Sequence, residues 1–150
     1  MKKWNLLSIL GLLVCGLFAF TACDDDDDEG GGSGIVGTWQ QKYSDYDDYG
    51  DYYSGTTTLK INKNGTFSVE DVYKWDDYST NYRDTQEGTW EMRGDNAIRF
   101  TISEEREYEN GKLVHEDDDE YSITLYFEVS GKQLSLYESI YDEPDVYTRK

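Results

Sequence analysis

The chain has 150 residues, with 32 Asp and Glu against 14 Lys and Arg and a net charge of −18. Such an excess of acid repels nucleic acid and anionic lipid headgroups, which excludes a nucleic-acid role. A single proline, 14 tyrosines and an aromatic content of 15% favour strands, where aromatic and β-branched side chains pack well.

Lys2 and Lys3 open the chain, and an almost purely apolar run follows over residues 6–20. A bilayer span takes about 20 apolar residues, so this run is short for a transmembrane helix. A basic start, a short apolar stretch and small residues before a cut describe a secretory signal peptide over residues 1–22. Thr21-Ala22-Cys23 ends the stretch, and the block Asp24-Asp25-Asp26-Asp27-Asp28-Glu29 follows at once. Residues 1–23 resemble the signals of bacterial lipoproteins, and the acidic block is similar to the surface-export signal of Bacteroidota-type surface lipoproteins. The resemblance implies cleavage before Cys23 and lipidation of its thiol, palmitate included. It also implies anchoring to the outer membrane through the lipid, facing the extracellular medium; a periplasm-facing anchor is the alternative. Each buried CH₂ of an acyl chain contributes about 0.8 kcal/mol, and several chains together hold firmly.

Cys15 lies in the removed segment and Cys23 carries the lipid, so the remaining protein has no free thiol and relies on its core alone. Loss of Lys2 and Lys3 takes the net charge from −18 to −20. That charge keeps copies apart, and a monomer is expected. Residues 23–34 combine the lipidated cysteine with acid and Gly30-Gly31-Gly32-Ser33-Gly34, a flexible, self-repelling tether. Fully extended it reaches on the order of 35–40 Å.

Residues 35–150 form the remaining domain, rich in Tyr, Thr, Val, Ile and Phe with period-two alternation. Eight strands are expected, at about 35–43, 56–62, 66–75, 82–92, 97–108, 113–129, 133–140 and 145–150. Short turns at Asn62-Lys63-Asn64-Gly65, Arg93-Gly94-Asp95-Asn96 and Ser130-Gly131-Lys132 make the meander antiparallel. Eight such strands close into an all-β up-and-down barrel, with a sandwich as the alternative. Gly37-Thr38-Trp39 on the first strand and Arg149 on the last resemble the lipocalin-like family. The resemblance implies that the Arg149 guanidinium lies across the Trp39 indole and closes one end, so Gly37, Trp39 and Arg149 are structural.

Alternation places Phe67, Val69, Asp71, Tyr73 and Trp75 on one inward row and Tyr82, Asp84 and Gln86 on the next. Ile98, Phe100 and Ile102, continued by Glu104, Arg106 and Tyr108, give a third. With alternate strands reversed, aliphatic residues gather beside the short turns and Tyr, Asp and Arg beside the longer connections, 44–55 above all. That polar-aromatic end is the expected mouth. The expected ligand contacts are Tyr73, Trp75, Tyr82, Arg106 and Tyr108, with Tyr46, Tyr49 and Tyr52 on a lid over residues 46–53 above them. The surplus acid favours a small neutral or cationic ligand, a glycan included. The alternative is a module with a filled barrel that docks a partner protein or glycan through its Tyr/Asp loops.

Catalytic chemistry is sparse. His115, the one histidine, lies among acids, and the serines beside glycine have no histidine partner. Asp71, Asp84 and Glu104 are the carboxylates that a glycosidase reading would use. The expectation is no enzyme, no cofactor and no metal cage. Calcium binding is expected to be weak at most, at 45–51 or 117–120.

Overall fold

The computed structural model describes residues 34–76 and 78–150. The signal peptide, Cys23 and all but the last residue of the tether lie outside the described residues. Nine strands follow one another: β1 (Gly37–Tyr46), β2 (Tyr52–Ile61), β3 (Thr66–Trp75), β4 (Asn81–Met92), β5 (Ala97–Glu109), β6 (Lys112–Asp117), β7 (Tyr121–Ser130), β8 (Gln133–Tyr137) and β9 (Asp145–Arg149). Among the described residues no helix is long and apolar enough to cross a membrane.

All pairings are antiparallel, between sequence neighbours except for β5–β7 and β1–β9. β4 pairs with β5, and β9 returns to β1 through Trp39↔Arg149 and Gln40↔Thr148, so eight strands close into an up-and-down barrel. The expected barrel is present, with β6 added to it.

β6 comes from the segment expected as one strand over 113–129. Asp118, Asp119 and Glu120 interrupt that segment, since three adjacent acids repel one another and have no apolar face to bury. The lower half of β5 pairs with β7 (Ile102↔Tyr121), and its upper half pairs with β6 (Glu105↔Asp117). The connection into β6 is a tight turn. Asn110 and Gly111 have φ of 49° and 80°, the left-handed pair that a two-residue hairpin requires.

β1 and β2 also run further than expected. Their ladder continues unbroken to Tyr46↔Tyr52, because tyrosine and threonine suit a pleated surface. Only residues 47–51 turn, and they are pinned: the Asp47 carboxylate accepts from the Tyr49 and Asp51 amides at 2.9 and 2.8 Å. The 44–55 segment is therefore a strand hairpin with a capped tip rather than a long connection.

Apolar burial fills the half of the barrel beside the short turns. Ile35, Trp39, Leu59, Ile61, Phe67, Val69, Ile98, Phe100, Ile102, Leu125, Leu134 and Tyr147 are among its buried residues. Phe67 and Phe100 meet edge to face at 4.7 Å between centroids. The end is closed as the lipocalin-like resemblance implied: the Arg149 guanidinium lies 4.6 Å from the Trp39 ring centroid. It donates to the carbonyls of Gly34 and Val36, and the Trp39 indole N–H donates to the Ile35 carbonyl at 2.7 Å. Gly34 thus sits at the closed end, and the 47–51 turn lies at the opposite end of β1 and β2.

One local feature changes what faces inward. Glu87 pairs with Glu104 but Gly88 pairs with Ile102, so Ser103 has no partner and forms a β-bulge. Gly88 is where the strands press together, and a Cβ there would overlap the Thr101 carbonyl. An extra residue advances side-chain alternation by one, so beyond Ser103 the even positions of β5 face out. Glu105 and Glu107 face in, across from Gln86 and Asp84.

Candidate functional site

Above the apolar half lies a polar layer. Asp71, 3% exposed, pairs across the sheet with Thr57 on β2 and Asp84 on β4. The Thr57 hydroxyl donates to Asp71 Oδ1 at 2.9 Å and the Tyr43 hydroxyl to Oδ2 at 2.6 Å. Tyr43 reaches it by crossing Gly55: a Cβ on Gly55 would overlap the Tyr43 hydroxyl and ring and lie 2.9 Å from the Tyr73 Cβ. Here glycine is a slot for a neighbouring tyrosine.

Burial pushes the Asp71 carboxyl above its usual range, against the hydrogen bonds from Tyr43 and Thr57. Asp84, 8% exposed, is pushed up to about 7, first by burial and then by the nearby Glu107 and Asp71 charges; hydrogen bonding from Tyr73 opposes the shift. Tyr43 and Tyr73 are held above the ordinary tyrosine range, first by burial and then by the acids beside them. Gln86, 2% exposed, donates through Nε2 to Glu105, and the Tyr121 hydroxyl donates to the same carboxylate at 2.5 Å. Among the described residues, Gln86 Oε1 is buried without a hydrogen-bond partner, and so is the Tyr53 hydroxyl.

An aromatic rim stands above this layer. Tyr73 and Tyr82 stack at 5.1 Å with 12° between their planes. Tyr53 packs on Trp75 at 4.8 Å and meets Tyr43 at 6.2 Å. Among the described residues the ion pairs are Arg83–Glu70, Arg93–Glu91, Arg99–Glu91, Arg106–Glu104 and Arg106–Glu116. All of them lie outside the barrel, so the inward carboxylates form no ion pair among the described residues.

The expected site residues divide accordingly. Tyr73, Trp75 and Tyr82 come together at the mouth. Arg106 and Tyr108 do not: the Ser103 bulge turns both outward, where Arg106 pairs with Glu104 and Glu116 and Tyr108 lies 4.0 Å beneath the Arg83 guanidinium. The same flip takes Glu104 away from Asp71 and Asp84, so the carboxylate trio of the glycosidase reading does not converge. Tyr46 and Tyr52 form an edge-to-face pair at 5.2 Å on the outer face of the hairpin, and Tyr49 at its tip is 91% exposed. Glu105 and Glu107 are lining residues that alternation alone did not single out. The signal for the glutamates was available only as Gly88 opposite a strand one residue too long.

Asp117, Asp118 and Asp119 bring carboxylate oxygens within 4.8 Å of one another on the surface. The Asp47 carboxylate is occupied in capping its own turn. His115 is exposed on β6, across from Glu107. No protein-family model matches the chain, and comparison with curated proteins finds no match.

Proposed function

We propose that this protein is a non-enzymatic cell-envelope lipoprotein that captures a small neutral or cationic ligand at the mouth of its barrel. The observation that carries the reading is the layer formed by Asp71, Asp84, Gln86, Glu105 and Glu107. It lies beneath aromatic faces, and among the described residues none of its carboxylates forms an ion pair. Burying carboxylates without cations is costly. A fold that retains several of them at one end is suited to a partner that supplies the missing donors or charge. Gly34 at the closed end supports an orientation in which the Cys23 anchor holds that end and the mouth points away from the outer membrane, toward the medium.

A thermal-shift screen of neutral, cationic and apolar small molecules tests capture, since a ligand at 100 times its Kd stabilises by about 2.7 kcal/mol. No stabilisation by any class overturns it. Palmitate labelling of wild type and Cys23→Ala tests the anchor, and label on both chains removes it. Degradation by protease added to intact cells is the result expected for an outward-facing protein.

A second reading draws on Tyr46, Tyr49 and Tyr141, which are 64%, 91% and 90% exposed. Tyrosines standing out of an acidic surface suit docking of a basic partner protein or a glycan. Loss of partner binding in Tyr49→Ala with an unchanged ligand screen would select it.

A further inference from the structure

We infer that the mouth is a receptor for an organic ammonium ion, a primary amine held by Asp84, Glu107 and Gln86 below the Tyr73–Tyr82 stack. This inference rests on the ligand-capture reading and narrows it to one chemical class.

Four observations converge on that class. The inward acids have no basic partner among the described residues, since every ion pair lies outside the barrel. Asp84 and Glu107 are directly paired across β4 and β5, so their charges face the same space. Gln86 sits two residues from Asp84 on the same inward row, and its Oε1 is buried with no donor. An unmet buried acceptor is destabilising, and a hydrogen-bond donor from a ligand relieves it. Finally, the stacked rings of Tyr73 and Tyr82 and the Tyr53–Trp75 pair give π faces beside the acids. Carboxylates together with aromatic faces suit an ammonium group on an organic body.

The same observations disfavour the other occupants. A bare metal ion needs convergent oxygens, and among the described residues three carboxylates come within 4.8 Å only at Asp117, Asp118 and Asp119 on the surface. Asp71, the most buried of the acids, is already committed to Tyr43 and Thr57. A neutral polyol brings donors but leaves the charge of Asp84 and Glu107 uncompensated. An anion meets only repulsion. A primary ammonium supplies three N–H donors and one positive charge to a site that offers acceptors and negative charge.

Isothermal titration of the full-length protein at pH 8 with 1,4-diaminobutane, and with its neutral isostere 1,4-butanediol, tests the inference. The diamine should bind at least tenfold more tightly than the diol. Asp84→Asn and Glu107→Gln should each weaken the diamine tenfold or more, whereas Glu104→Gln, on the outer face of the same strand, should leave it unchanged. Both mouth variants keep the side-chain shape, and circular dichroism confirms their folding. Equal or tighter binding of the diol overturns the ammonium inference while leaving ligand capture standing. Diamine binding that responds equally to Glu104→Gln and Glu107→Gln overturns it as general surface attraction. No binding of the diamine overturns it too, and the thermal-shift screen then decides separately whether the mouth captures anything.

Discussion

Replacing Asp84 by Asn should make the protein more stable above neutral pH and leave it nearly unchanged in acid. Asp84 is 8% exposed, and its carboxyl is pushed up to about 7 by burial, then by Glu107 and Asp71. In an unfolded chain an aspartate titrates near 3.9. Between those two values the folded protein holds a proton that the unfolded chain has released. Stability from this group is therefore fully present below about pH 4 and is lost as pH rises through about 7. A shift of about three units at 1.36 kcal/mol each corresponds to about 4 kcal/mol. Relaxation and water at the mouth reduce that, so Asp84→Asn should gain about 2–4 kcal/mol at pH 8. At pH 4 the gain should be under about 1 kcal/mol, because Asn and a protonated Asp are close in shape and polarity. Urea unfolding followed by tryptophan fluorescence from pH 4 to pH 8 measures both chains. Asp145, pushed up to about 6 chiefly by burial, adds a pH dependence of the same sign. It is common to both chains and drops out of the difference. A wild type at least as stable as Asp84→Asn at pH 8, or a gain that does not vary with pH, would refute the reasoning.

Gly55→Ala should displace Tyr43 from Asp71 and cost about 1.5–3 kcal/mol, the range for a hydrogen bond to a charged group. Tyr43→Phe should cost a similar amount, and denaturant unfolding of the double variant should show the two losses to be far from additive. At the closed end, Trp39→Ala removes a fully buried indole and should cost about 3–5 kcal/mol by the same assay. Arg149→Ala, which loses the cation–π contact and the bonds to the Gly34 and Val36 carbonyls, should cost about 1–2 kcal/mol.

The barrel was legible because its signals are local and periodic. Gly-containing turns at 62–65, 93–96 and 130–132 and the alternation of β3 and β4 fix which side chains face in, and Gly37-Thr38-Trp39 with Arg149 marks the closed end. Two parts of the mouth were hidden for different reasons. The acid over 44–55 carries a loop signal, yet Tyr46, Tyr52 and Thr56 are good strand residues, and only the turn itself needs polar groups. The Asn110-Gly111 pair carried a hairpin signal that the surrounding charge obscured. The bulge at Ser103 is a one-residue event with no composition signature, and it exchanges Arg106 and Tyr108 for Glu105 and Glu107. That exchange turns an inward surface with its own arginine into one with acids alone, and the ammonium inference follows from it.

The central claim is that Asp84 is the protonatable heart of a cation site, faced by Asp71 and Tyr73 on β3 and by Glu105 and Glu107 on β5. Carbon-13 NMR of the aspartate carboxyls, with Asp84 assigned by its loss in Asp84→Asn, follows its titration in the free protein and with 1,4-diaminobutane. The account predicts a free midpoint near 7 that falls by at least one unit with the diamine and stays put with 1,4-butanediol. A midpoint near 4 in the free protein, or one that the diamine does not move, would contradict it.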